Sequence, residues 1–297
     1  MKEKVTVAAI GCSGPVAHHF VEGFCEEGAN LRLLARKPHK VRRRYPQAEI
    51  VQGSMMEPAD VARAVDGADA VFLVTPMGLS DDPSSEIEAA RLVLKGLKAA
   101  GVPHLIYTSC LGVERKHGVG ILDAKHAIEQ MISESGIPFS ILRCGTYMED
   151  LFDLRVELLK KGKFLFPLNK SRRFTFTSQR DVPRFVTSEL LAKGRVLNDR
   201  IDLVAPGTFS ISQIEVLLSE AAGFEIRAPS RFPTFHLFRA LTPVFRLRKD
   251  RMSSVIPLLV HFDKHGYHSK DARSDIGGFE ATTLPAHLDR LLCQEPG

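Results

Sequence analysis

Val5-Thr6-Val7-Ala8-Ala9-Ile10 runs directly into Gly11-Cys12-Ser13-Gly14-Pro15-Val16-Ala17, and this junction decides the fold. A nearly continuous apolar run of this length suits a strand covered on both faces, as in a parallel sheet. The glycine-rich segment after it opens a helix. A dinucleotide's pyrophosphate needs close backbone approach and free N–H groups at a helix N-terminus. Gly11 permits the tight turn, Gly14 the close approach, and Ala17 lets the helix pack on the strand. Pro15 supplies no N–H, but its fixed φ suits a first helical turn. Plain turns use the same residues; the position, at the end of a first strand and the start of a first helix, selects a cofactor loop. Gly11, Cys12, Ser13, Gly14, Pro15 and Val16 are therefore expected to line a nucleotide.

Outward from the junction, strand and helix signals alternate. The first helix reaches Glu27 and is ended by Gly28. Strands are expected at Leu31–Ala35, 50–52, 70–74, 105–109 and 139–142. Helices are expected from Pro58 to Val65 and from Glu86 to Ala100. A further helix carries Ala124, Ile128, Met131 and Ile132 and is closed by Ser135-Gly136. Such alternation implies βαβ units, and right-handed crossovers then wind a doubly wound parallel Rossmann sheet of α/β class. Beyond about residue 145 the alternation fades. Phe174–Thr177 and 201–204 read as strands, Val182–Leu191 and Ile211–Ala222 as helices, the last opened by a Ser212-x-x-Glu215 capping box. The chain thus divides into a nucleotide-binding domain, 1–150, and a smaller α/β substrate domain, 151–297, some of whose segments return to the sheet.

The end of the second strand sets the cofactor. NAD-specific sites usually place an acid there for the ribose 2′-hydroxyl. Here it reads Leu34-Ala35-Arg36-Lys37, and a guanidinium matches a 2′-phosphate. NADP(H) is expected over NAD(H), held by Arg36 and Lys37. Gly53-Ser54 after the third strand is expected near the adenine. Thr75-Pro76 after the fourth falls at the crevice where strand order reverses, and Ser109 ends the fifth strand beside it.

Composition excludes other classes. The 297 residues, 44% hydrophobic and 25% charged, describe an ordinary globular protein with a substantial core. No run approaches the roughly 18–20 apolar residues of a membrane span, and the start carries no signal-peptide pattern, so a cytoplasmic protein is expected. The five cysteines are scattered without paired spacing, which points to a reducing compartment and no metal site. A net charge of +5 with one tight run, Arg42-Arg43-Arg44, gives no nucleic-acid footprint.

The glycine loop, Arg36, Ser109, Asp123-Ala124-Lys125 with Glu129, Ser135-Gly136, and Ile141-Leu142-Arg143 followed by Gly145-Thr146-Tyr147-Met148-Glu149 together resemble the NmrA-like branch of the atypical short-chain dehydrogenases. Asp181-Val182 and Gly277-Gly278-Phe279 match its later landmarks. The resemblance implies either an NAD(P)H-dependent reductase of quinones, ethers or imines, or a catalytically silent sensor of NADP(H) that engages a protein partner. It also implies that Lys125 sits by the nicotinamide ribose. The superfamily's catalytic tyrosine would stand four residues before Lys125, where this chain has Ile121. Isoleucine cannot donate a proton, so the usual carbonyl–alcohol chemistry is not expected. As a plain surface residue Lys125 would instead pair with Glu129, one turn on.

Tyr147, after the sixth strand, is the favoured replacement acid. His126 lies about 100° around the helix from Lys125, Tyr107 reads as core, and Cys110 as a packed small residue. The aromatic and basic stretch 232–249 reads as a lid over a small apolar substrate, or else as a surface for a membrane or partner. An acceptor such as a quinone or enone fits the reductase alternative; a homodimer is compatible with either.

Overall fold

The computed structural model describes residues 4–13, 17–75, 83–166, 168–228, 251–268 and 278–293. Gly14, Pro15, Val16 and Pro76 lie outside them, as does the aromatic and basic stretch 232–249.

The first half builds β1 (Thr6–Ile10), α1 (His18–Glu26), β2 (Asn30–Ala35), α2 (Pro38–Arg44), β3 (Glu49–Gln52), α3 (Pro58–Val65), β4 (Ala70–Leu73), α4 (Pro83–Ala100), β5 (Leu105–Cys110), α5 (Gly120–Glu134) and β6 (Phe139–Cys144). Then follow β7 (Thr146–Tyr147), α6 (Met148–Leu151), α7 (Val156–Leu159), β8 (Arg173–Phe174), β9 (Phe176–Thr177), α8 (Asp181–Phe185), β10 (Asp199–Leu203), β11 (Phe209–Ser210), α9 (Ile211–Ala222), α10 (Arg251–His265) and α11 (Leu284–Leu292).

The main sheet is seven-stranded, ordered β10-β6-β5-β4-β1-β2-β3, and its pairs are parallel. Period-two alternation sends its residues to two cores. Val7, Ala9, Ala70, Phe72 and Ile106 face α1 and α8, whereas Ala8, Ile10, Val71, Leu73 and Tyr107 face α3, α4 and α5. On the first face Phe20 and Phe24 meet Phe72 edge-on at 5.4 and 5.0 Å, an arrangement that adds about 0.5–1.5 kcal/mol per pair to plain burial. The strand order reverses between β1 and β4, where Ile10 pairs with Leu73. The carboxyl ends of these two strands frame the crevice in which open α/β sheets bind ligands.

The second half has its own core, rich in phenylalanine: Phe152, Phe164, Phe174 and Phe176 pack with Ile214, Leu218, Leu284 and Leu288. It also sends β10 back to the main sheet, in register Asp199↔Ser140 through Leu203↔Cys144. Gly145 lies under the crossing. A Cβ there would stand 2.4 Å from the Thr175 carbonyl oxygen, so the two halves touch backbone to backbone.

Several local expectations are corrected. The cap of α9 is Ser210, which accepts from Gln213 N–H while Gln213 returns a bond to Ser210 N–H; Ser212 and Glu215 lie inside the helix. Phe174–Thr177 is two strands, not one. Thr175 N–H donates to Tyr267 O, and the flanking pairs join different partners, β11 to β8 and β9 to β7. The helix over 182–191 changes to π geometry at Val186–Leu191, because Thr187 Oγ1 donates to the Pro183 and Arg184 carbonyls and Ala192 N–H reaches Thr187 O.

Candidate functional site

At the crevice, Gly11 is glycine because β4 is close. It has φ +81°, and a Cβ would lie 1.8 Å from Val74 O. Cys12 turns its thiol inward toward Ile10 O at 3.8 Å, and burial pushes that thiol far up, so only its backbone is offered to the crevice. Ser13 is exposed. The first turn of α1 holds no acidic side chain, so the positive end of the helix dipole is not neutralised there. His18 is engaged sideways, with Tyr45 Oη at 2.8 Å and Glu22 at 2.8 Å.

Arg36 and Lys37 follow β2 and are exposed, and among the described residues neither has an ion-pair partner. No acid stands beside them on β2. Gly53 and Ser54 form a turn fixed by Asp60, whose carboxylate takes Ser54 N–H at 2.9 Å. The Ser54 hydroxyl in turn accepts from Met56 N–H at 3.2 Å.

Thr75, Glu86, Tyr107 and Lys125 come together from four elements in one buried network. Thr75 Oγ1 donates to Glu86 at 2.6 Å and accepts from Lys125 Nζ at 2.8 Å. A hydroxyl has one proton and two lone pairs. The Tyr107 phenol, 3.0 Å from the same oxygen, is therefore the donor in that pair. Lys125 Nζ also lies 3.1 Å from Glu86 and 5.0 Å from the Tyr107 ring centroid. Burial opposes the lysine's charge most strongly, but the Glu86 carboxylate, the Tyr107 phenol and the Cys110 thiol together outweigh it and hold the ammonium above its usual range.

Lys125 is thus neither an exposed residue nor Glu129's partner, and that pairing is corrected. Glu129, 1% exposed, is clamped by Arg143 at 2.7 and 3.0 Å and by Arg200 at 2.9 Å. Ile121 packs in the interior.

Ser109 shares the face of β5 with Tyr107. It is 3% exposed, and its hydroxyl has no hydrogen-bond partner among the described residues. A buried orphan of this kind normally awaits a ligand or water.

The chain has four tyrosines as candidates for the missing acid. Tyr45 binds His18 and Tyr107 binds Thr75. Tyr147 packs edge-on against Phe20 at 5.6 Å and points its hydroxyl at the Cys144 thiol; burial and that thiol push its phenol well above the usual range. Tyr267, which the sequence did not suggest, donates to Cys144 O at 3.1 Å and accepts from Leu111 N–H at 3.0 Å. Glu86 also went unnoticed, although it occupies the apolar stripe of α4 three and four residues before buried Ala89 and Ala90. An acid in that stripe was the available signal.

A Rossmann-type protein, with an orphan hydroxyl and a buried lysine at its switch-point crevice, is what these features define. The chain belongs to the NmrA-like family, whose model matches residues 1–269. It is 23% identical over 222 residues to an NAD(P)H azoreductase of Xenophilus azovorans, spanning 74% of this chain and 75% of that protein. It is 32% identical over 145 residues to a (4-alkanoyl-5-oxo-2,5-dihydrofuran-3-yl)methyl phosphate reductase of Streptomyces griseus, about half of each chain (48% and 49%). The fold is shared with the NADPH-dependent quinone oxidoreductase of Escherichia coli solved with NADPH, at TM-score 0.74 and 19% identity, covering 96% of this chain and 99% of that one.

Proposed function

We propose that this protein is an NADPH-dependent oxidoreductase that reduces a flat, apolar acceptor such as a quinone or enone. The observation that carries the proposal is the buried Ser109 hydroxyl, unpartnered among the described residues, beside the Lys125 network at the carboxyl edge of the sheet. The residues present fit a nicotinamide nucleotide. The Gly11–Ser13 backbone and the open end of α1 suit the pyrophosphate, Arg36 and Lys37 a 2′-phosphate, and Ser109 a polar group of the nicotinamide or the acceptor. When bound, that nucleotide supplies the hydride. The relatives' names, with azo, quinone and oxo-dihydrofuran acceptors, support the reductase class.

The chain's own part is to bind, orient and exclude water. Lys125 acts from behind Thr75, fixing that residue while Glu86 balances its charge, and is a positioning residue in this scheme. The committed tyrosines leave protonation of the acceptor to solvent. A quinone or enone tolerates that, because its oxygen lies far from the carbon that is reduced.

A sensor that binds NADP(H) and signals to a protein partner is the second reading, favoured by Ile121 and the engaged tyrosines. The test is NADPH consumption with a panel of quinones and enones, against Arg36→Glu. Turnover that falls at least about tenfold in kcat/KM in the variant, with NADH little affected, supports the reductase. Tight NADPH binding without turnover across the panel refutes it in favour of the sensor.

A further inference from the structure

A second cavity, of about 760 Å³, opens at the same edge of the sheet, between the loop after β5 and α10. Its floor includes Leu111, two residues beyond Ser109, and Tyr267, whose hydroxyl holds Leu111 N–H. Its walls carry Arg115, Lys116, His117, His261, His265 and His268. Among the described residues one acid, Glu114, lines it, and that carboxylate is drawn aside to Arg143 at 3.5 Å. Six basic side chains around a partly apolar floor are an unusual concentration in a protein whose net charge is only +5.

The arrangement is built. His261 and His265 stand one turn apart on α10, which packs against α5, with rings 4.8 Å apart. His117 meets His261 edge-on at 5.1 Å and is anchored through Nε2–H to Gly112 O and through its backbone N–H to Asp123 at 2.6 Å. Neither the His261 nor the His265 ring has a hydrogen-bond partner among the described residues, and Arg115 and Lys116 have no ion pair there. No trio of His, Cys, Asp or Glu among the described residues is placed to hold a metal. Burial, then His265, His117, Lys264 and Arg115, push His261 down to about 4. Arg115 and Lys116 thus supply the fixed charge, and the His261 and His265 rings, both pushed toward the neutral form, supply directional N–H groups.

We propose that this cavity receives an anionic substituent, a carboxylate, sulfonate or phosphate ester, carried on the acceptor's apolar body. The proposal rests on the reductase reading for the word acceptor; the anion site itself does not. Fixed cations and open N–H donors recognise an oxyanion, and the Leu111 and Tyr267 floor accepts the adjoining ring.

The test uses the full chain and two redox-inert probes, naphthalene-2-sulfonate and the neutral naphthalene-2-sulfonamide, titrated by calorimetry at pH 7. The sulfonate should bind about tenfold more tightly, as one charge-assisted contact implies. That preference should fall below about threefold in Arg115→Gln/Lys116→Gln, an exposed pair whose loss leaves the fold intact, and should shrink in His261→Gln. Equal affinity for the two probes, no binding of either, or a preference that survives the double variant overturns the anion site. In parallel, kcat/KM is compared for 1,2-naphthoquinone and its 4-sulfonate. Turnover without discrimination keeps the reductase and overturns the anion site; sulfonate binding without turnover keeps the site and overturns the reductase.

Discussion

The Glu86–Lys125 pair invites a double-mutant cycle. Both side chains are almost fully buried, at 5% and 3% exposure, with 3.1 Å between the charged atoms. Among the described residues, Glu86→Gln leaves the ammonium with Thr75 and the face of Tyr107 as its remaining partners, and Lys125→Met leaves the carboxylate with Thr75 alone. A stranded buried charge costs about 3–5 kcal/mol. The double variant Glu86→Gln/Lys125→Met strands neither and should lie within about 2 kcal/mol of the parent. The implied coupling, roughly 4 kcal/mol or more, lies above the usual range for groups in contact. Urea unfolding at pH 7 of the four proteins measures it, with an unchanged m-value as the check that the unfolded state is the same. Additive losses, or single variants within about 0.5 kcal/mol of the parent, would refute the claim that the two charges share one desolvated site.

Gly11→Ala places a Cβ on Val74 O at a positive φ; a loss of about 3 kcal/mol or more, with NADPH binding abolished, is expected by thermal unfolding and titration. His104, 4% exposed and bonded to Ser140 at 2.8 Å, is pushed down to about 4 by burial. Its unfolded value is near 6.5, so its contribution is complete above that pH and is lost as pH falls toward 4. Unfolding curves between pH 7 and 4 should show about 2–3 kcal/mol of acid sensitivity that His104→Gln lacks; an identical slope in the variant counts against it.

The strands of the main sheet were legible because each carries its own pattern. A run such as Ala70–Leu73, buried on both faces, needs no partner to be recognised. The α2 helix was not legible: Pro38–Arg44 buries Val41 alone, and its arginines read as a solvated run. The network around Lys125 joins residues up to 50 positions apart, so nothing local distinguishes a lysine aimed at Glu86 from one aimed at Glu129. The α9 cap was misplaced by two residues because both Ser210-x-x-Gln213 and Ser212-x-x-Glu215 satisfy the same pattern, and backbone conformation selects the first. The histidine cavity drew on the loop at 114–117 and on α10, more than 140 residues later.

The return of β10 to the edge of the sheet bears on how such proteins can be recombined. An exchange of lobes at residue 150 would strip β6 of its neighbour and α1 of the segment that covers it, leaving an unpaired border prone to self-association. A viable chimera must carry the returning strand and α8 with the recipient scaffold, so new specificity is better grafted through the loop at 112–119 and α10 than by swapping the whole carboxyl-terminal half.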